Sequence, residues 1–237
     1  MTDVALLLAQ VEIRDRSGPP SCQQANDFFC PGWVAENYDR YVDPVLQHLV
    51  LVGTSVAAGF AIAFALALLA HRIHWLAAPL LAVTGVLYTV PSIAFFFHLL
   101  PITGLGRTTA IIALTAFTLQ ILFRNIVTGL ANVPPEVRDA GRGMGLTERQ
   151  LLWRAELPLA LPEIFAGLRI ATVSTVALAT LAVFVSGGGL GVPIYEQLTF
   201  KTNVIFAGGL CIAIAMAFDL ALVTAQRAVT PWLRVTT

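Results

Sequence analysis

Five apolar runs of about 20 residues, at 45–70, 76–100, 108–130, 161–185 and 204–225, constrain this chain more than any other feature. Each is long enough for a helix to cross a hydrocarbon core of roughly 30 Å. Inside such a core every backbone N–H and C=O needs a partner within the protein, so only helices and closed barrels can span it. Barrel strands alternate apolar and polar residues over about 10 positions, and these runs do not alternate. The expected fold is therefore all-α and integral to the membrane, with five transmembrane helices. Composition agrees: 57% of the 237 residues are hydrophobic and 12% are charged, with a mean hydropathy of +0.78. A soluble domain could not cover that much apolar side chain. The formal net charge is zero and no long run of like charge occurs, so nucleic acid is not an expected partner.

Lys and Arg near the span ends set the expected orientation. Arg72 follows the first span; Arg138, Arg142, Arg149 and Arg154 follow the third; Arg227 and Arg234 follow the fifth. The other side carries only Arg40, Arg107 and Lys201. This excess puts the loop at 132–160 and the C-terminal tail, 231–237, in the cytoplasm, and the N-terminal tail, 1–44, outside. The transmembrane unit then occupies 45–230.

The N-terminal tail is polar and contains Cys22 and Cys30, two of the three cysteines. Its "VALLLAQV" is short, follows Asp3 and lacks a basic flank, so a surface-lying turn is expected rather than a cleaved signal peptide. In an oxidising compartment Cys22 and Cys30 are candidates for a disulfide, which would contribute roughly 2–3 kcal/mol to ordering a short loop. Trp33, Tyr38 and Tyr41 suit interfacial anchors.

Enzyme chemistry has no foothold in these residues. "GRGMG" and "SGGGLG" are glycine-rich, but neither follows a strand signal, and GxxxxGK[ST] is absent, so this chain is not expected to hydrolyse ATP itself. HExxH, GxSxG and paired cysteine ligand sets are also missing, and His48, His71, His74 and His98 are scattered near span ends. Neither a catalytic residue nor a metal or other cofactor is expected.

Charge concentrates instead in "VPPEVRDAGRGMGLTERQLLWRAELP", residues 133–158. Pro134 and Pro135 suit a helix start, and Glu136 and Asp139 place negative charge near its N-terminal dipole. Val137, Ala140, Gly141 and Met144 fall at i, i+3, i+4 and i+7, giving a narrow face of small and apolar residues with Arg138 and Arg142 on the other side. Gly145 is placed to stop that helix in a left-handed conformation. "TERQ" then reads as a capping box between Thr147 and Gln150. The second helix is expected to end near Leu157, because Pro158 lacks a donor and restricts the residue before it. A knuckle of this kind suits docking into a groove on a soluble partner.

These residues resemble the cytoplasmic signature of ABC importer permeases, written E-A-A, three residues, G, nine residues, I, one residue, L-P. Asp139, Ala140 and Gly141 stand at E-A-A, Gly145 at the glycine, Ala155 at the isoleucine, and Leu157 and Pro158 at the end. The spacing matches throughout; Asp, Gly and Ala replace Glu, the second Ala and Ile. "LYTVPSIAFF", "GLGRTTAIIAL", "LPLALPEIFAGLR" and "SGGGLGVPI" further resemble the osmoprotectant branch, permeases for glycine betaine, choline, carnitine or proline. The likeness covers roughly 45–230. It implies a type I importer permease in the cytoplasmic membrane, paired with a second permease subunit. Two ATPase subunits would bind below, and an external substrate-binding protein would deliver the solute. It also implies that Val137, Asp139, Ala140, Gly141, Met144, Gly145, Leu146, Leu157 and Pro158 form the surface coupled to the ATPase. Readings left open are a permease for another solute, such as methionine or a phosphonate, and a secondary transporter.

Within the spans, small residues at Gly53 and Ala57, Ser55 and Gly59, and Ala61 and Ala65 permit close helix contact, with a neighbouring span or with a second subunit. Thr172, Thr175 and Ser186 are candidate pathway residues, although Ser and Thr often bond their own helix instead. Asp219 is the only carboxylate placed well inside a span. A charge there needs a partner or a wet cavity. Arg169 lies at matching depth, and Arg124 competes with it.

Overall fold

The computed structural model describes residues 22–232. The "VALLLAQV" stretch and Arg234 lie outside the described residues. Two short helices, Cys22–Ala25 and Pro31–Asn37, lead into α1 (Asp39–Arg72). There follow α2 (Ala77–Thr89), α3 (Ser92–Thr103), α4 (Arg107–Ala131), α5 (Pro135–Gly143), α6 (Glu148–Val185), α7 (Gly191–Glu196) and α8 (Lys201–Val229). Every regular element among the described residues is helical.

Of these, α1, α4, α6 and α8 are each long and apolar enough to cross a membrane. The run expected as one straight second span is instead broken into α2 and α3, bent by 98°. Pro91 causes the break: it removes a backbone donor and pushes Val90 into an extended conformation, with φ −66° and ψ 128°. The Pro91 carbonyl then accepts from the Phe95 N–H at 2.9 Å and starts the next helix. Apolar content alone could not reveal the break, because both halves are equally apolar.

Helix directions show that the broken pair makes one crossing. Ser55 lies against Ile111, Gly59 against Thr118, and Ala70 and Leu130 line one cavity, so α1 and α4 run parallel. Parallel neighbours require a return between them, and α2 with α3 supplies it. Gly129 meets Ala160 and Gly167 meets Asn125, so α6 runs back along α4; α8 then runs against α6, joined by Arg169 and Asp219. Five crossings result. The end of α1, α5 and the start of α6 gather at one end of the bundle, and the N-terminal segment with two glycine loops gathers at the other.

Small residues determine how closely α1 and α4 approach. Ser55, Gly59, Ala63 and Ala67 form a buried stripe at four-residue spacing on α1. A Cβ added at Gly59 would lie 1.9 Å from the Thr118 hydroxyl. Of the three small pairs, only Ser55 and Gly59 pack inside this chain; Gly53, Ala57, Ala61 and Ala65 face outward.

At the far end Cys22 and Cys30 form a disulfide. Asn26, inside that loop at φ +50°, accepts from the Lys201 N–H at 3.0 Å and donates to the Thr199 carbonyl at 2.9 Å. The loop thus caps the N-terminus of α8 from a distant part of the sequence. Two of the expected interfacial anchors serve packing instead. Trp33 meets Phe200 edge-on at 4.9 Å, and Tyr41 is buried against Phe206 with its hydroxyl donating to Asn203. Only Tyr38 remains well exposed. His48 is fully buried; its Nδ1 accepts from the Leu190 N–H, and its Nε2 donates to the Val176 carbonyl. With Gln47, which accepts from the Gly189 N–H, it pins the "SGGGLG" loop.

Candidate functional site

Helix α5 begins at Pro135, directly after Pro134 at φ −56° and ψ 136°. It stops in a Schellman arrangement: the Gly145 N–H donates to the Arg142 carbonyl and the Leu146 N–H to the Gly141 carbonyl. Gly145 has φ +80°, which disfavours any residue with a Cβ. Leu146 and Leu151 fold back over Gly141, where an added Cβ would come within 2.5 Å of the Leu151 side chain. Glycine at this position lets the Leu151 side chain lie this close; a larger residue would make that flexible side-chain end shift.

The next helix opens with the capping box. The Thr147 hydroxyl accepts from the Gln150 N–H, and the Gln150 side chain accepts from the Thr147 N–H. Its course then departs from the sequence-based expectation. The chain does not end a helix at Leu157; a π-turn at Leu152–Glu156 carries it without interruption into the fourth crossing. The Leu157 N–H reaches back to the Leu152 carbonyl, and this wider turn accommodates the missing donor of Pro158. Leu157 is buried and Pro158 half-buried. Knuckle and crossing are thus one rod with a π-bulge between them.

The faces of α5 also differ from the expected division. Gly141 is buried and Val137 half-buried, but Asp139, Ala140 and Met144 are exposed, Met144 at 74%. Arg138 turns inward. Its Nε donates to Glu156 at 2.7 Å and its guanidinium also reaches the Leu130 carbonyl at 2.7 Å. Glu156 receives a second partner at 2.8 Å in the His71 ring, from the end of α1. A buried carboxylate, with a side chain 5% exposed, thus joins α1, α5 and the rod α6. Outside it, Arg142 hydrogen-bonds Glu148 at 2.9 Å and holds that carboxyl below the usual carboxylate range. Sequence reading passed over Glu156 and His71. The available signal was a single acidic residue placed between apolar ones just before Leu157 and Pro158.

The remaining candidates separate clearly. Arg169 and Asp219 form a two-pronged ion pair at 2.7 and 3.0 Å, each about one-third exposed, at the edge of an apolar groove between α6 and α8. Arg124 is not Asp219's partner. Thr172 and Thr175 are buried and donate to the Leu168 and Ala171 carbonyls of their own helix, so neither reaches an open surface of this chain. Ser186 is exposed in a left-handed conformation with φ +58°.

Across residues 55–235 the chain matches the family model described as "Binding-protein-dependent transport system inner membrane component". The chain belongs to this family. It is 34% identical, over 84% of its length and 96% of the relative's, to the osmoprotectant import permease protein OsmW of Salmonella typhimurium. It is 32% identical, over 78% and 86%, to the choline transport system permease protein OpuBB of Bacillus subtilis. The carnitine transport permease protein OpuCB of Listeria monocytogenes is 34% identical over 83% and 91%. In fold, the chain superposes on an inward-facing MetNI methionine ABC transporter with a TM-score of 0.71 at 22% identity, covering 85% of this chain and 100% of that one. It is an integral membrane permease subunit with the type I ABC importer architecture.

For this permease the ion pair between crossings has a direct test. Asp219→Asn leaves the Arg169 charge without its partner, so less assembled protein is expected in the membrane. The double change with Arg169→Gln is expected to restore part of it, because removing both charges leaves neither exposed to lipid. Immunodetection of folded protein after gel filtration reads both; a double variant no better than the single would remove the structural role.

Proposed function

We propose that this permease imports osmoprotectants of the quaternary-ammonium and betaine class, forming the translocation pathway with a second permease subunit. Two ATPase subunits, bound beneath the Ala140 and Met144 face of α5, would drive it, and an external binding protein would deliver the solute. The observation that carries the substrate reading is the likeness, over 78–84% of the chain, to permeases named for osmoprotectant, choline and carnitine transport. The continuous rod α6 supports the coupling reading. Force on the knuckle passes along one helix into the fourth crossing, through a π-bulge that can take up rotation. ATP hydrolysis belongs to the partner subunits.

Uptake of labelled glycine betaine, choline and carnitine into vesicles holding the full complex tests the substrate class. ATP-dependent uptake that also needs the binding protein is expected. Uptake of methionine but of none of these compounds would move the chain to another solute, and uptake without ATP would remove the ATP-driven mechanism.

The same reading puts the knuckle in the cytoplasm and the disulfide loop outside, following the arginine excess at the knuckle end. A membrane-impermeant thiol reagent applied to intact cells is expected to label Cys22 and Cys30 only after a reductant is added. Labelling before reduction would rule out the bridge. Protection both before and after reduction would mean either buried thiols or a cytoplasmic tail, and the latter would reverse the topology.

A further inference from the structure

Beside the proposed coupling knuckle, between it and the end of α1, lies a charged cleft. The cleft, about 720 Å³, is lined by Arg72, Arg138, Arg142 and Arg149 against Glu148 and Glu156, a formal surplus of two positive charges. Arg138 and Arg142 already serve those carboxylates. Arg72 and Arg149 have no ion-pair partner among the described residues and are exposed. A neighbouring pocket of about 270 Å³ shares His71, His74 and Arg138 with it and is otherwise lined from α1 and α4 by residues such as Ala67, Ala70, Val127 and Leu130. A cationic mouth thus adjoins an apolar slot. Trp75 and Trp153, each next in sequence to a lining residue, His74 and Leu152, are 74% and 53% exposed. Exposed tryptophans of this kind sit at headgroup level in a bilayer.

We propose that this cleft binds one anionic phospholipid, with its phosphate between Arg72 and Arg149 and the upper part of an acyl chain in the alanine-lined slot. Charge selects the headgroup, and the slot selects a lipid over a free anion. An acidic side chain of a protein partner would fill the mouth but leave the slot empty. Bound there, the lipid touches the end of α1, the knuckle and the start of the rod together, so the inner leaflet gains a hold on the coupling element. The inference rests on the proposed cytoplasmic position of the knuckle but not on the solute transported.

The test uses the assembled permease and ATPase complex in lipid discs of phosphatidylcholine with added phosphatidylglycerol, with retained lipid counted by native mass spectrometry. Near a membrane surface each arginine contributes about fivefold to the affinity for anionic lipid, from about 1 kcal/mol apiece. Arg72→Gln with Arg149→Gln is therefore expected to weaken phosphatidylglycerol retention roughly 30-fold, whereas Arg72→Lys with Arg149→Lys retains most of it. Both positions are exposed, so folding is checked by recovery of the permease itself as a monodisperse species on gel filtration. Equal retention in the wild type and the glutamine variant would overturn the proposal. So would displacement of the lipid by inorganic phosphate alone, which would make this a free-phosphate site. Loss of the ATPase subunits from the glutamine variant with lipid retention unchanged would instead assign the mouth to a protein contact. Each readout is taken without transported solute, so failure here is distinct from failure of the substrate assignment.

Discussion

Glu156→Ala is expected to produce the largest loss of stability of any single substitution in the knuckle. The carboxylate is buried and held from two sides, by Arg138 at 2.7 Å and His71 at 2.8 Å. Removing one member of a buried pair leaves the other charge uncompensated and costs about 3–5 kcal/mol. For a chain of this size that corresponds to a fall in thermal midpoint of roughly 10 °C, read by fluorescence-detected gel filtration after heating. Transport is expected to fall further, because α1, α5 and α6 lose their common tie. Glu156→Gln with Arg138→Gln should recover part of the stability, since no uncompensated charge remains. A thermal midpoint unchanged in Glu156→Ala would show that the carboxylate bears no structural load.

Gly145→Val is expected to abolish coupling while leaving the membrane bundle in place. Gly145 has φ +80°, a conformation costing a residue with a Cβ about 1–2 kcal/mol, and β-branched valine tolerates it least. No atom lies within 4 Å of the added Cβ, so the effect is one of backbone conformation and not of crowding. Relief requires the turn to open, which breaks the Gly145 and Leu146 bonds back into α5 and rotates Ala140 and Met144 away from their present face. The protein should insert and purify at near-normal yield while solute-stimulated ATPase activity and uptake both fall. Gly145→Asn should retain more activity, because Asn tolerates left-handed geometry. Normal uptake by the valine variant would sink the coupling assignment of α5.

Much of this protein was determined by sequence alone, for a physical reason. In lipid each crossing must satisfy its own backbone, so four of the five apolar runs specify one helical crossing each without reference to their neighbours, whereas the broken run at 76–100 counts as a crossing through the directions of α1 and α4. Local hydrogen bonding made the capping box at Thr147 and Gln150 legible in the same way, and chirality did so for the glycine stop at Gly145. The depth argument put Arg169 within reach of Asp219, with Arg124 as competitor, because rise per residue converts position along a helix into position across the membrane; the folded bundle chose Arg169.

Tertiary structure decided the rest, where the determinant is a partner far away in sequence or a competition between two local rules. Pro91 and Pro158 each argue for a helix end. At Pro91 the helix does break, whereas at Pro158 a π-turn and burial of Leu157 against α4 carry it through. Which way Arg138 points depended on Glu156 and on the free carbonyl of Leu130 at the end of α4, none of which shares its helix. Likewise, only the folded bundle places the Asn26 side chain on the start of α8. A sequence specifies which groups need partners; long-range packing chooses them.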